Sequence, residues 1–456
     1  MQIDETNKDF SHAVDVVLHK RKSLFLTGRA GSGKTFFLKY IGEKCKELKI
    51  NAAVVAPTGI AALNAGGQTI HSFFQVPFGI FPPDDKRLRT KVPSDDPDKT
   101  SIYNIFAYRE TRKEIIKNLE LLIIDEVSMV RCDMLDLIDR LLRVFRGKEN
   151  GREDEPFGGV QIVIIGDPFQ LPPIVMSGDW NILKQAYESP WFFNSKAFDS
   201  ITEFVELQKI YRQTDLNFIN ILNRVRDNTF TNNDLNALNQ RHNSTFRNSD
   251  ANKKYMYITT HNATVDRVNE NELQRLKSIP YLFQGRIQGV FPSKDLPAPL
   301  YLTLKKGAQV MLVKNDSAGI YVNGSLGEII DLDNKEITVK LNSGSVVDLT
   351  KDFWYNIEYV WNVKEKKIQE NVIGKYWQYP VKLAWCISVH KSQGLTFDYV
   401  IADLSKSFDS GQVYVALSRC TSLEGLVLKT QIPSTAIKTD QRVLDFYKKI
   451  ITNKQY

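Results

Sequence analysis

Leu24-Phe25-Leu26-Thr27-Gly28-Arg29-Ala30-Gly31-Ser32-Gly33-Lys34-Thr35 is the stretch that decides the fold. A short apolar run feeds a glycine-rich turn. The turn satisfies GxxxxGK[ST] in full from Gly28 to Thr35, and a helical pattern begins there. Strand, loop and helix in that order are what a phosphate-binding loop requires. The glycines turn backbone N–H groups towards the phosphates, and the helix N-terminus adds a field that favours an anion. Gly28, Ala30, Gly31, Ser32 and Gly33 then cradle a nucleoside triphosphate. Lys34 reaches its β- and γ-phosphates, and the Thr35 hydroxyl binds Mg²⁺.

Apolar runs at 52–56, 121–124 and 162–165 are equally short, and each ends in a polar or glycine-rich turn. Such runs read as buried parallel strands of an α/β unit, whose ligands bind at the carboxyl ends of the strands. The run at 121–124 delivers Asp125 and Glu126 to that edge. Asp125 would hold the Mg²⁺ shell, and Glu126 would orient and deprotonate the attacking water. An acidic pair at a strand end is often a solvated turn. Beside a phosphate loop it argues for hydrolysis rather than transfer to a small metabolite. The run at 162–165 leads to a proline-stiffened turn at 166–173. Its Gln170 reads either as a group presented to the γ-phosphate or water, or as a surface amide, and spacing alone does not choose.

A second α/β unit begins near Ser195, with strands expected at 255–258 and 399–404. Between these the pattern turns to short β-rich runs separated by Asn323-Gly324, Asp333-Asn334 and Asn342-Ser343-Gly344, the signature of a small antiparallel barrel. Arg212 and Arg419 lie in this second unit. A motor needs a cation from a second domain to sense nucleotide across a cleft, although any single arginine reads equally as a surface ion pair.

Composition agrees with a polyanionic partner without requiring one: 456 residues, 42% hydrophobic and 25% charged, with a formal charge of +7. That length exceeds one ordinary core. Cys45, Cys132, Cys386 and Cys420 form no CxxC, and His71, His261 and His390 have no paired spacing, so neither a disulfide scaffold nor a structural zinc site is expected. No apolar run approaches membrane-spanning length, and residues 1–10 are polar and acidic. The expectation is a cytoplasmic protein, in the bacterial cytoplasm or nucleoid, monomeric when free.

Small polar groups cluster after several strands. Thr58, Gly59, His71 and Ser72 follow the second strand; Thr260, His261 and Asn262 follow the strand at 255–258; His390, Lys391 and Ser392 precede Gly394. These suit phosphate contacts that do not read sequence. Phe73 and Phe74 read either as base-stacking faces or as core. The apolar stretch at 75–81 reads either as a duplex-splitting wedge or as a loop anchored in the core. An ATP-switched binding protein and a small-molecule kinase are the competing classes. The kinase would need neither Glu126 beside Asp125 nor a second nucleotide-facing domain.

With these motifs together, the chain resembles the petite-integration-frequency family of DNA helicases, RecD-like and of superfamily one subtype B. The resemblance runs from about Lys22 to about Leu428 and is carried by 28–35, 56–62, 68–73, 124–129, 156–161, 166–173, 211–213, 322–327, 389–396 and 414–419. It implies an α/β fold of two RecA-like domains with ATP and Mg²⁺ between them. The first would comprise 1–72 and 118–194, with an inserted wedge subdomain at 73–117. The second would comprise 195–283 and 379–456, with a Src-homology-three-like barrel at 284–378. Glu126, Gln170, Arg212 and Arg419 become the catalytic set, and single-stranded, forked or structured DNA the partner. The resemblance also implies 5′-to-3′ movement, action on RNA–DNA hybrids and G-quadruplexes, and roles in DNA repair and telomere maintenance. One departure stands out. The family usually has an adenine-contacting Gln about 18 residues before the phosphate loop, where this chain reads Asn7-Lys8-Asp9-Phe10.

Overall fold

Apolar runs flanked by turns assemble into two parallel sheets in the computed structural model, which describes residues 4, 6–77, 79–97, 99–212, 215–246, 253–293, 296–316, 318–362, 364–365 and 367–453. The first sheet contains β1 (Leu24–Gly28), β2 (Ala52–Ala56), β3 (Gln68–Thr69), β4 (Leu121–Ile124), β5 (Gln161–Ile165) and β6 (Glu203–Leu207), in the order β3-β2-β4-β5-β1-β6. All its pairs are parallel. Successive side chains point to opposite faces, and both faces are covered. Phe25, Leu122, Ile124, Ile162 and Ile164 enter one core. Leu24, Leu26, Leu121, Ile123, Val163 and Ile165 enter the other.

The next strand, β7 (Met256–Thr259), is followed by ten that belong to the inserted barrel and its hairpins. These are β8 (Tyr281–Gln284), β9 (Arg286–Gly289), β10 (Tyr301–Leu304), β11 (Gln309–Leu312), β12 (Leu326–Leu332), β13 (Ile337–Leu341), β14 (Val346–Leu349), β15 (Asp352–Asn362), β16 (Lys367–Gln378) and β17 (Val381–Leu383). They form antiparallel sheets ordered β10-β8, β14-β13-β12-β11-β17 and β15-β16-β9. The chain then returns to β18 (Cys386–Ser388), β19 (Val400–Asp403) and β20 (Leu426–Leu428), which complete the second parallel sheet in the order β18-β7-β19-β20.

Three boundaries differ from the sequence reading. β6 pairs with β1, so the first unit runs past Ser195 to Leu207. The antiparallel region extends beyond 284–378 at both ends, because β8 begins at Tyr281 and β17 ends at Leu383. The terminal helix Gln441–Asn453, assigned by sequence to the second unit, packs on the first: Phe446 stacks on Phe193 at 4.1 Å and touches Phe25 and Phe198. Trp191 Nε1 donates to Asp440 at 2.9 Å beside it.

The segment 73–117 is anchored rather than free. Phe73 and Phe74 are fully buried and pack edge to face at 4.8 Å, so they are core and not stacking faces. Val76 and Phe81 are buried too, while Pro77 and Gly79 between them are exposed; Phe78 lies outside the described residues. β15 reaches across to this unit, where the Tyr359 hydroxyl accepts the Val54 N–H at 3.1 Å and Glu358 pairs with Arg112 at 2.7 Å. Among the described residues no helix is long and apolar enough to cross a membrane.

Candidate nucleotide and nucleic-acid site

The turn after β1 works because its glycines adopt conformations that side chains resist. Gly31 and Gly33 have φ of 83° and 92°. Gly33 caps the helix Lys34–Glu47 without a side-chain hydrogen bond, leaving that helix's first N–H groups for an anion. A cavity of about 410 Å³ opens over it, lined by Ala30, Gly31, Ser32, Gly33, Lys34 and Thr35 from the loop, and by Glu126 and Gln170. It is lined further by Tyr211 and Arg212, which follow β6 and sit beside the loop, the Tyr211 N–H donating to the Gly31 carbonyl at 2.9 Å, and from the second unit by Gly394, Thr396 and Arg419. Ten residues named from sequence thus converge. Gly28 and Asp125 stand just behind, and Tyr211, Gly394 and Thr396 are additions whose signal was their adjacency to Arg212 and to the 389–396 motif. A larger cavity of about 640 Å³ lies between 81–89 and the helix Cys132–Leu142. Its arginines are already engaged, Arg143 by Asp139, Arg140 by the Leu88 carbonyl and Arg89 by Asp96.

Charge in the smaller cavity is unbalanced in a way that calls for a polyanion. Arg212 Nη1 and Ser32 Oγ are buried without any hydrogen-bond partner. An orphaned cationic N–H of this kind is costly unless a ligand meets it. Lys34 Nζ is turned back on the Gly28 and Arg29 carbonyls, at 2.6 and 3.0 Å. Burial lowers the Lys34 pKa. Burial, and then the neighbouring Arg212, lower Arg419 to about 9. On the acidic side, burial and then Glu126 push Asp125 up to about 7, and burial raises Glu126. Glu126 sits at φ 50°, ψ 46°. For a residue with a side chain that left-handed conformation costs about 1–3 kcal/mol, and it aims the carboxylate at the cavity rather than along the strand. Thr35, in the cavity lining, and Asp125, at the end of β4, are the residues that would hold Mg²⁺, which when bound would neutralise phosphate charge.

The second unit is tied to this site through a buried network that the sequence does not reveal. Arg226, in the helix Leu216–Arg226, pairs with Asp167 at 3.1 Å, and both side chains are fully buried. The Arg226 guanidinium lies 3.9 Å from the Phe169 ring centroid. The Tyr414 hydroxyl donates to Asp167 at 3.1 Å and accepts the Ala30 N–H at 3.0 Å. The Asp167 carbonyl accepts the Gln170 N–H at 3.0 Å. Gly411 stands against the same turn at φ +76°, where a Cβ would come within 2.5 Å of the Gln170 carbonyl oxygen. A buried ion pair adds little net stability after desolvation, but breaking one side costs about 3–5 kcal/mol. Its effect here is geometric: phosphate loop, Gln170 turn and second unit share one set of hydrogen bonds.

The polar groups named for strand contact lie at the carboxyl ends of neighbouring strands. Thr58 caps the helix Gly59–Ala65 after β2, and His71 and Ser72 lie in the helix Ile70–Phe73 after β3. Thr260 and His261 follow β7 and share a 2.8 Å side-chain hydrogen bond. Asn262 opens the next helix, and its side chain lies outside the described residues. His390 and Lys391 follow β18. Ser392 is not exposed as its neighbours suggest: it is wholly buried and its hydroxyl donates to the Val389 carbonyl at 2.7 Å, which shapes the turn. At the base side of the phosphate loop, Phe10 packs edge to face on Phe37 at 5.4 Å. Asn7 spends its side chain on the Phe10 N–H and the Tyr211 hydroxyl.

Comparison with known proteins places this geometry. The sequence model of the PIF1-like helicase family matches residues 2–236. The chain is similar to the ATP-dependent DNA helicase PIF1 of Danio rerio, 32% identical over 440 residues, which take in 94% of this chain and 62% of that protein. It is also similar in structure to Bacteroides sp Pif1 in complex with ADP-AlF4, at 38% identity and a TM-score of 0.86, covering 99% of this chain and 98% of that one. Against Bacteroides Pif1 bound to ssDNA the identity is again 38% and the coverage 100% and 98%, but the TM-score is 0.66. With more than half of its length inside the family match, a shared fold over nearly all of it and its phosphate loop, acidic pair and cleft arginines in one cavity, the chain belongs to the PIF1-like helicases.

Proposed function

We propose that the chain is an ATP-driven DNA helicase that moves 5′-to-3′ on single-stranded DNA and separates the duplex ahead of it, with RNA–DNA hybrids and G-quadruplexes among its substrates. The observation that carries this is the cavity itself. The phosphate loop, with Arg212 just past β6, faces Gly394, Thr396 and Arg419 of the second unit, so closing on ATP and opening after hydrolysis must move two bodies. The polar strand ends of both sheets supply two grips on a phosphate backbone. The TM-scores support relative movement of the parts on strand binding, because this chain follows the strand-free relatives, with or without nucleotide, more closely than the strand-bound ones. The test is displacement of a labelled strand from duplexes with a 5′ or a 3′ single-stranded tail. Unwinding only of the 5′-tailed substrate is expected. Unwinding only of the 3′-tailed one would reverse the direction, and ATP hydrolysis without displacement on either would favour a switch that remodels complexes without travelling.

Lys382, which feels the charge of Lys391 of the strand-end groups, would add a pH dependence to strand binding. It lies in β17, half-buried, and burial together with the charge of Lys391 lowers its pKa to about 8. Among the described residues neither lysine pairs with a carboxylate. An arriving phosphate stabilises the ammonium and raises the pKa. Binding is therefore independent of this group well below pH 8, where Lys382 is already charged, and must take up a proton above it. Affinity for single-stranded DNA should fall by up to about tenfold per pH unit above 8, and Lys382→Arg, always charged, should flatten the profile. Wild-type affinity that is flat from pH 7 to 9 by fluorescence anisotropy would remove Lys382 from the track.

A further inference from the structure

The three-stranded sheet β15-β16-β9 has one face turned inward and one turned to water. Inward, Trp354 and Tyr376 are cross-strand partners, stacked at 5.7 Å and buried. Outward, Phe353 faces Trp377 across the strands and Tyr355 faces Lys375, while Arg286 lies opposite Trp377 on the other side. Phe353 and Tyr355 are 37% and 40% exposed, with ring centroids 4.8 Å apart. Cations interleave with the rings. Lys314 Nζ is 4.9 Å from the Phe353 centroid, Lys375 Nζ is 5.2 Å from Tyr355, and Arg286 is 6.0 Å from Trp377. Asp352 holds Lys314 at 2.7 Å, but among the described residues no carboxylate pairs with Lys375 or Arg286.

Cross-strand ring pairs alone would stabilise a hairpin, but they do not need unpaired cations between them. Lysine is also depleted where proteins dock on one another. Rings that accept any base face, alternating with cations that meet phosphates, are the pattern of sequence-independent single-strand binding. We propose that this face of the barrel hairpin is a second contact for single-stranded nucleic acid, distinct from the strand-end track. Bases stack on Phe353, Tyr355 and Trp377. Lys375 and Arg286 move from the rings to the phosphates. The proposal rests on the reading that the chain binds single-stranded DNA.

Equilibrium binding of the full chain to fluorescent oligothymidylate tests it, using one length near a single site, about 8 nucleotides, and one several times longer. Phe353→Ala with Tyr355→Ala should weaken the long strand about tenfold and leave the short one, held in the track, unchanged. Lys375→Gln, a change at the surface that the fold does not need, should reduce the slope of log affinity against log salt by about one on the long strand only. Equal affinities of wild type and variants at both lengths, with Lys375→Gln leaving the slope unchanged, would overturn the proposal and leave the face to a protein partner. If wild type itself fails to bind either length, the motor reading fails instead, so the two failures are distinguishable. Should the double aromatic variant melt early, the Lys375→Gln slope decides alone.

Discussion

Glu126→Gln should hydrolyse ATP on the order of 10³-fold more slowly than wild type, within the usual 10²–10⁴ contribution of a positioned general base, while binding the nucleotide as tightly. The first half follows from placement. Glu126 is held in a left-handed conformation at the end of β4 and lines the cavity beside Lys34 and Gln170. Burial raises its pKa against the opposing charges of Lys34 and Arg419, which makes its carboxylate a better proton acceptor than a solvated one. The amide keeps the shape and removes the basicity. The second half follows because the phosphates are met by the loop and Lys34, which the substitution leaves alone. Single-turnover hydrolysis alongside binding of a fluorescent nucleotide measures both. A loss of less than about tenfold would move the base to another group, Gln170 or a chain of water.

Arg212→Ala should cost as much or more, on the order of 10³–10⁵ in strand-stimulated turnover, the range of an arginine finger. Its Nη1 has no partner, and among the described residues its one hydrogen bond is a 3.5 Å approach of Nη2 to the Gly394 carbonyl. It is therefore poised for a group that arrives with the substrate, and truncation should disturb the fold little. Arg419 is different. Its Nε donates to the Val415 carbonyl at 2.8 Å and Nη1 to the Leu395 carbonyl at 3.2 Å, so Arg419→Ala should lose hydrolysis and melting temperature together. Turnover at saturating single-stranded DNA, read beside a thermal melt, separates the two arginines. An Arg212→Ala enzyme within tenfold of wild type would make that residue a surface cation and place the cleft's sensing on Arg419 alone.

Much of the site was legible because its chemistry is local. A phosphate loop is eight consecutive residues, and the runs at 24–26, 52–56, 121–124 and 162–165 coincide with β1, β2, β4 and β5 because strands buried on both faces are apolar throughout. β6 was misassigned for the converse reason. It is an edge strand that reads Glu203 to Leu207 with two carboxylates, and nothing local says which sheet it joins. The Asp167–Arg226–Tyr414 network was illegible because its members are 59 and 247 residues from Asp167, and a charged residue in an amphipathic helix reads as solvated until a partner is seen. Ser392 failed in the same way: its sequence neighbours His390 and Lys391 suggest exposure, but the turn rotates its hydroxyl inward. The terminal helix was given to the second unit rather than read as a clasp on the first, since periodicity identifies an apolar face without naming what covers it.

The steady-state rate of ATP hydrolysis by the wild-type chain, with and without single-stranded DNA, tests the central claim most directly. A motor whose two domains close on one nucleotide while gripping one strand should be slow alone and strongly stimulated by the strand, more so than by duplex of the same length. A rate indifferent to single-stranded DNA would contradict the account, and the cleft arginines would then be answering to some other partner.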